Sequence, residues 1–185
     1  MARFPPLLAA AFLLAGCSGS GNLVANPGFE SASEKGIAKW QASAYVFHPA
    51  FVQFTADKDK HMGKLAAKIA NLQVNDASLI QEVPVKGGRT YKVSGWIKTE
   101  NVRSPQGPVG ACLSIPMTSF RSASVKETTD WTEVRFYVLI SKERTTMPLA
   151  CRLGFNGSMT AGSAFFDDIR VQEVNLPVKE GLPTY

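Results

Sequence analysis

Histidine and cysteine are scarce in this chain, and a block of like charge is missing altogether. Two histidines, His48 and His61, and three cysteines, Cys17, Cys112 and Cys151, are spread over 185 residues. Neither histidine stands in a metal-ligand or nucleophile spacing, and no G-x-S-x-G or H-E-x-x-H signature occurs, so the common hydrolase and metalloprotease chemistries find no foothold. Charged residues are 19% of the chain and the net charge is +5. That excess is diffuse, with no Lys/Arg run, which argues against a nucleic-acid partner. Sustained helical periodicity is also lacking, which points away from α-helical fold classes. The one apolar run, residues 7–14, is too short to cross a bilayer as a helix.

What is present begins with an address. Residues 1–16 carry one positive charge at Arg3, the apolar run, and small residues before Cys17, the pattern of a secretion signal. The stretch LLAGC at residues 13–17 resembles the bacterial lipobox, in which cleavage precedes the cysteine and its thiol is lipidated. That resemblance implies a lipid anchor at Cys17 and a flexible tether over residues 17–21. Ser18 after the cysteine points to the outer membrane of a Gram-negative envelope, facing the periplasm or the surface. The alternative is an ordinary signal peptide followed by a stray cysteine. Either way Cys112 and Cys151 meet an oxidising compartment, where a bridge is allowed.

Runs rich in Val, Ile, Phe, Tyr and Thr alternate with Gly, Pro, Asn and Asp. They predict strands over residues 23–25, 40–46, 51–55, 65–70, 78–85, 90–99, 110–115, 132–140, 149–155 and 164–174. Ten such strands fit an all-β, two-sheet antiparallel β-sandwich of jelly-roll type over residues 22–175, with 176–185 as a loose surface tail. Alternation assigns faces. Tyr91, Val93 and Ile97 read as core, which leaves Lys92, Ser94 and Trp96 on a polar face. Leu149, Cys151, Leu153 and Phe155 read as core, with Arg152 outward. Cys112 and Ser114 read as outward, so Cys112 and Cys151 face opposite ways. This parity argues against a bridge unless a bulge intervenes. Trp40 reads as a plug at one end of the sandwich.

The motifs NLVANPGFE, GKLAAKI, SLIQEVPVKGGRTYKVSGWIKTENV, WTEVRFYV and FFDDIRV follow in the order and spacing of carbohydrate-binding modules of the family 4/9/22 type. The chain resembles these jelly rolls, of the galactose-binding-domain-like group, from Asn22 to about Val174. The resemblance implies a structural Ca²⁺ held by Glu30 and Asp167, with backbone carbonyls near Gly28 and Lys64 as further ligands. Calcium takes six to eight oxygens, which suits carboxylates beside irregular backbone. Asp167 falls by parity with Phe165, Ile169 and Val171 on the core side, where a lone carboxylate is costly. The alternative is that it caps a turn or pairs with Lys64 or Lys68. Asp168 reads as solvated, and so does His61.

The resemblance further implies binding of a polysaccharide or glycan. The candidate platform is Trp96 with Lys92, Ser94, Ser114 and Arg152 on neighbouring strands and Asn156 at a rim. Trp96 reads equally as edge packing, and Tyr45, Phe47 and Phe51 around the His48-Pro49 loop offer a rim at the sandwich end instead. Catalysis is not expected: glycoside hydrolysis uses two carboxyl groups about 5–10 Å apart, and Asp167 and Asp168 point to opposite faces. The competing readings are a structural or assembly lipoprotein that holds a protein partner, and an accessory subunit of a glycoside hydrolase system.

Overall fold

The computed structural model of the protein describes residues 21–105, 107–175 and 184–185. The leader, Cys17 and most of the tether and tail lie outside the described residues. Among the described residues there is no helix, and eleven strands follow one another. They are β1 (Ala32–Ser33), β2 (Gly36–Ile37), β3 (Gln41–Ala44), β4 (Val52–Asp57), β5 (Ala66–Asn75), β6 (Ala77–Pro84), β7 (Thr90–Arg103), β8 (Ala111–Ser114), β9 (Glu127–Leu139), β10 (Thr146–Leu153) and β11 (Thr160–Glu173).

Two sheets face one another: a four-stranded one in the order β3-β6-β10-β8 and a five-stranded one in the order β4-β5-β11-β7-β9. Every pairing within them is antiparallel. The expected sandwich is therefore what forms. β1 and β2 make a separate small hairpin. Residues 120–125 run along the open edge of β8, with Val125 N–H on the Ala111 carbonyl at 2.8 Å and Ser122 N–H on the Leu113 carbonyl at 2.9 Å. An edge strand left bare would offer unpaired amides to other chains.

The core lies between the sheets and follows the alternation. Tyr91, Val93 and Ile97 of β7 and Ala164, Phe166, Ile169 and Val171 of β11 meet Leu79 and Val83 of β6, Leu113 of β8, and Leu149, Cys151 and Leu153 of β10. Cys112 and Cys151 are free, as the parity count argued; both are buried, although Cys112 was expected outward. Burial pushes the Cys112 thiol up to about 12 and the Cys151 thiol well above its ordinary value.

Three expectations are corrected. Residues 23–25 form no strand, although Leu23 N–H reaches the Val171 carbonyl at 3.1 Å. The end of the tail is docked rather than loose: Tyr185 N–H donates to the Leu139 carbonyl at 2.9 Å, and Arg144 lies 3.8 Å from its ring centroid. The third concerns β11. Its pairing with β7 shifts register between Asp167 and Arg170, and Asp168 sits at φ 50. Asp167 stands opposite Trp96, and Phe165 opposite Lys98. Because one extra residue flips every following side chain, Phe165 and Asp167 lie on the outer face while Ile169 and Val171 return to the core.

Candidate functional site

The six residues of the expected sugar platform do not come together. Lys92, Ser94 and Trp96 belong to β7 of the five-stranded sheet, whereas Ser114 and Arg152 belong to β8 and β10 of the four-stranded one. Strand parity reports a face but not a sheet, so outward residues of opposite sheets look alike in sequence.

On the five-stranded side the platform is closed. Residues 58–64 lie across it as a strap, and the His61 ring stacks on Trp96 with centroids 3.9 Å apart and planes 12° off parallel. His61 Nδ1 lies 2.9 Å from Asp168 Oδ2, and the edge of Trp131 approaches at 6.0 Å. His61 and Asp168 are thus packed and paired rather than solvated. Lys98 holds the strap through Asp59 at 2.5 Å, and Lys92 pairs with Glu133 at 3.7 Å. Ser94 is buried.

The strap is pinned by the two carboxylates of the expected clasp. Asp167 Oδ2 accepts the N–H groups of His61 and Met62, both at 2.9 Å, and its Oδ1 accepts that of Asp168 at 2.7 Å. Glu30 Oε1 accepts the N–H of Lys64 at 2.7 Å. Gly63, at φ 66, is required here, since a Cβ would collide with the Glu30 carboxylate. The turn that carries Glu30 is fixed from several sides. Asn26 sits at φ 50 and its side chain bonds the backbone of Ser31 and Ala38, while Ile169 N–H donates to the Pro27 carbonyl at 3.0 Å. Trp40 packs on Phe29 at 5.1 Å and donates Nε1–H to the Asn26 carbonyl.

Calcium fits the donor chemistry of this clasp. The space a Cβ of Gly28 would fill lies 3.5 Å from Asp167 Oδ1 and 3.9 Å from Glu30 Oε1, so two carboxylates converge beside irregular backbone. Asp167 is 1% exposed, and burial raises its carboxyl above the usual value against the opposing pull of its three backbone donors. Neither Lys64 nor Lys68 pairs with it: Lys68 pairs with Asp57 at 3.7 Å and lies over the Phe165 ring.

The open surface is on the other sheet. A groove of about 520 Å³ crosses the outer face of the four-stranded sheet, lined by Ser43, Ala44, Tyr45, Asp76, Ser78, Met117, Arg152, Asn156 and Gly157. Its polar floor is fixed in place. Arg152 donates Nε–H and Nη2–H to the two oxygens of Asp76 at 2.7 and 2.6 Å, and Nη1–H to Asn156 Oδ1 at 3.1 Å. Gly157 N–H completes the Asp76 carboxylate at 3.0 Å, and Asn156 Nδ2–H reaches the Thr118 carbonyl. Such a two-point fork holds its partners in one plane.

Above this floor Tyr45 is 73% exposed and Met117 is 94% exposed. Tyr45 belongs here because Gln41, Ser43 and Tyr45 alternate outward along β3 and its extension, where Tyr45 N–H reaches the Asp76 carbonyl. Phe155, expected in the core, turns outward after Gly154, whose φ of 105 few other residues adopt. Its ring lies 5.0 Å from the Arg121 guanidinium and 5.4 Å from that of Arg152. Of the platform residues named from sequence, Arg152 and Asn156 line the groove. Ser114 is fully buried next to the 120–125 segment and Arg121, so a ligand has no access to it.

The arrangement offers a ring face, a hydroxyl row and a rigid amide-carboxylate-guanidinium array. These are the elements that pack against the apolar face of a sugar and bond its hydroxyls. Comparison with known proteins bears on the fold and the family. A TmCBM61 structure in complex with β-1,4-galactotriose matches with a TM-score of 0.57 and 21% identity, over 84% of this chain and all of that one. A CBM4 structure matches with a TM-score of 0.56 and 17% identity, over 81% and 99%. A Stig cyclase from Fischerella sp. TAU matches with a TM-score of 0.54 and 11% identity, over 85% and 98%. These likenesses are of fold, which hosts binding modules and an enzyme alike. No curated protein matches the chain. The family model described as "Carbohydrate binding domain" (CBM_4_9) matches residues 21–153, and the chain belongs to that family.

Proposed function

We propose that the protein binds a polysaccharide or glycan chain, without cleaving it, in the groove of the four-stranded sheet. The observation that carries this reading is the exposed Tyr45 ring beside the locked Arg152, Asp76 and Asn156 array. A fixed array loses little freedom on binding, which favours affinity. Asp76 is the only carboxylate lining the groove among the described residues and is tied to Arg152, whereas glycosidic hydrolysis takes two. In this reading Cys17 is lipidated and anchors the module to the cell envelope, at the outer membrane. One structural Ca²⁺ sits between Glu30 and Asp167 and ties the first turn to the last strand.

Affinity gels test the groove, with β-1,4-galactan as the first probe because TmCBM61 is seen with its trisaccharide. Tyr45→Ala is expected to lose about tenfold or more in affinity, the effect of removing one stacking ring together with its buried area. Trp96→Ala is expected to bind like the parent and only to melt earlier. Loss of retention in Trp96→Ala at full folding, with Tyr45→Ala unaffected, would move the site to the five-stranded sheet. Partition of the full-length protein into a detergent phase, abolished by Cys17→Ser, checks the anchor; equal partition of that variant would refute it.

A lipoprotein that holds a protein partner is the second reading. Phe47, Leu72 and Val74 are 66%, 53% and 47% exposed. It predicts no retention on any glycan and co-purification of a specific protein.

A further inference from the structure

The charges that line the groove itself cancel, but positive charge stands beside it. Arg152 is neutralised by Asp76, but Arg121, 5.0 Å from the Phe155 ring centroid, forms no ion pair among the described residues. Among the described residues its one side-chain hydrogen bond runs from Nη1–H to Ser124 Oγ at 2.7 Å, which leaves most of its five donors open. Arg121 also lines a second depression of about 500 Å³ with Pro108, Ser122, Ser124 and Lys126, and no carboxylate lines it. Both guanidinium groups lie within 5.4 Å of the Phe155 ring centroid, which places Arg121 and its depression beside the Arg152 end of the groove.

We infer, on the footing that the groove binds a glycan, that the glycan is anionic and that Arg121 reads its charged groups. A guanidinium fork matches the two coplanar oxygens of a uronate carboxylate and two oxygens of a sulfate ester equally well. The chemistry shared by both is a sugar unit that bears a two-oxygen anion. Tyr45 packs on a ring of the same chain, Arg152 and Asn156 meet its hydroxyls, and Lys126 adds a second positive charge beside the anion. The diffuse positive charge, +5 over the whole sequence with Arg3 of the leader included, draws such a polymer towards the protein without specifying it.

The test uses the folded protein on four probes: polygalacturonate, a sulfated galactan, neutral β-1,4-galactan, and polyacrylate as a polyanion without sugar. Retention of polygalacturonate or the sulfated galactan well above both controls is expected, and which of the two leads identifies the anion. Arg121→Gln is expected to weaken that retention about tenfold or more, the effect of one lost charged hydrogen-bonding partner. Arg121→Lys, which keeps the charge but loses the fork, is expected to fall between. Melting curves are expected to be similar for all three proteins. Equal retention of neutral and anionic glycans, or an Arg121→Gln variant that binds like the parent, would overturn the inference and leave glycan binding standing. Polyacrylate held as tightly as the sugars would reduce the effect to bulk charge and also overturn it. No retention of any sugar, neutral or anionic, would overturn the underlying reading.

Discussion

Asp76→Ala is expected to lower stability by about 3 kcal/mol and to abolish glycan retention, both from one substitution. The Asp76 side chain is 6% exposed and that of Arg152 is 15% exposed. Removing the carboxylate leaves a mostly buried guanidinium with no counter-charge and takes away the acceptor of Gly157 N–H as well. At about 2–4 °C per kcal/mol for a domain of this size, calorimetry should register a fall in Tm of roughly 10 °C. The double variant Asp76→Leu with Arg152→Met separates the two effects. An apolar pair of similar volume is expected to recover most of the stability, because the charges then vanish together. Glycan binding is expected to stay lost. A double variant that binds like the parent would show that the array is structural only.

Asp167→Ala is expected to cost about 2–4 kcal/mol, since the N–H groups of His61, Met62 and Asp168 lose their acceptor together. The strap over Trp96 would loosen with them. In the parent, calcium at a hundred times its Kd is expected to add about 2.7 kcal/mol, and a chelator to remove it. Melting curves of Asp167→Ala and Glu30→Ala should be indifferent to both treatments. A parent curve indifferent to chelator would refute the calcium clasp.

The same carboxyl sets a pH dependence whose sign follows from its environment. Burial raises the folded value of Asp167 above the unfolded one, so the folded state holds the proton more tightly. Without calcium the ionised carboxylate therefore costs stability above the raised value. That cost disappears as pH falls through it towards the ordinary Asp range. The gain from calcium is expected to shrink over the same window, because the proton and the ion compete for one carboxylate.

The sandwich was legible because its strands are long and cleanly alternating. Nine of the ten strands expected from sequence have counterparts, and β1 and β2 escaped because two residues each are too short to carry an alternation. The site was legible only in part, for two physical reasons. Alternation holds until the backbone breaks it: the register shift between Asp167 and Arg170 reversed the faces of Phe165 and Asp167, and Gly154, at φ 105 just past the end of β10, that of Phe155. Alternation also says nothing about which sheet a strand joins, which is why Trp96 was grouped with Arg152. The pairing of Asp76 with Arg152, seventy-six residues apart, has no local signature at all. Glu30 and Asp167 do converge as the motifs implied, although both also grip the strap that covers Trp96. Tyr45 was visible as an aromatic flanking the His48-Pro49 loop; its place in the groove depends on β3 pairing with β6.

The central claim is that the glycan lies on the four-stranded sheet. Hydrogen–deuterium exchange of the folded protein, with and without the glycan that the affinity gels select, tests it most directly. Slower exchange is predicted at residues 41–45, 76–78 and 150–157, with the strap at residues 58–64 and the amides around Trp96 unchanged. Protection confined to the strap and β7, with the groove unaffected, would contradict it.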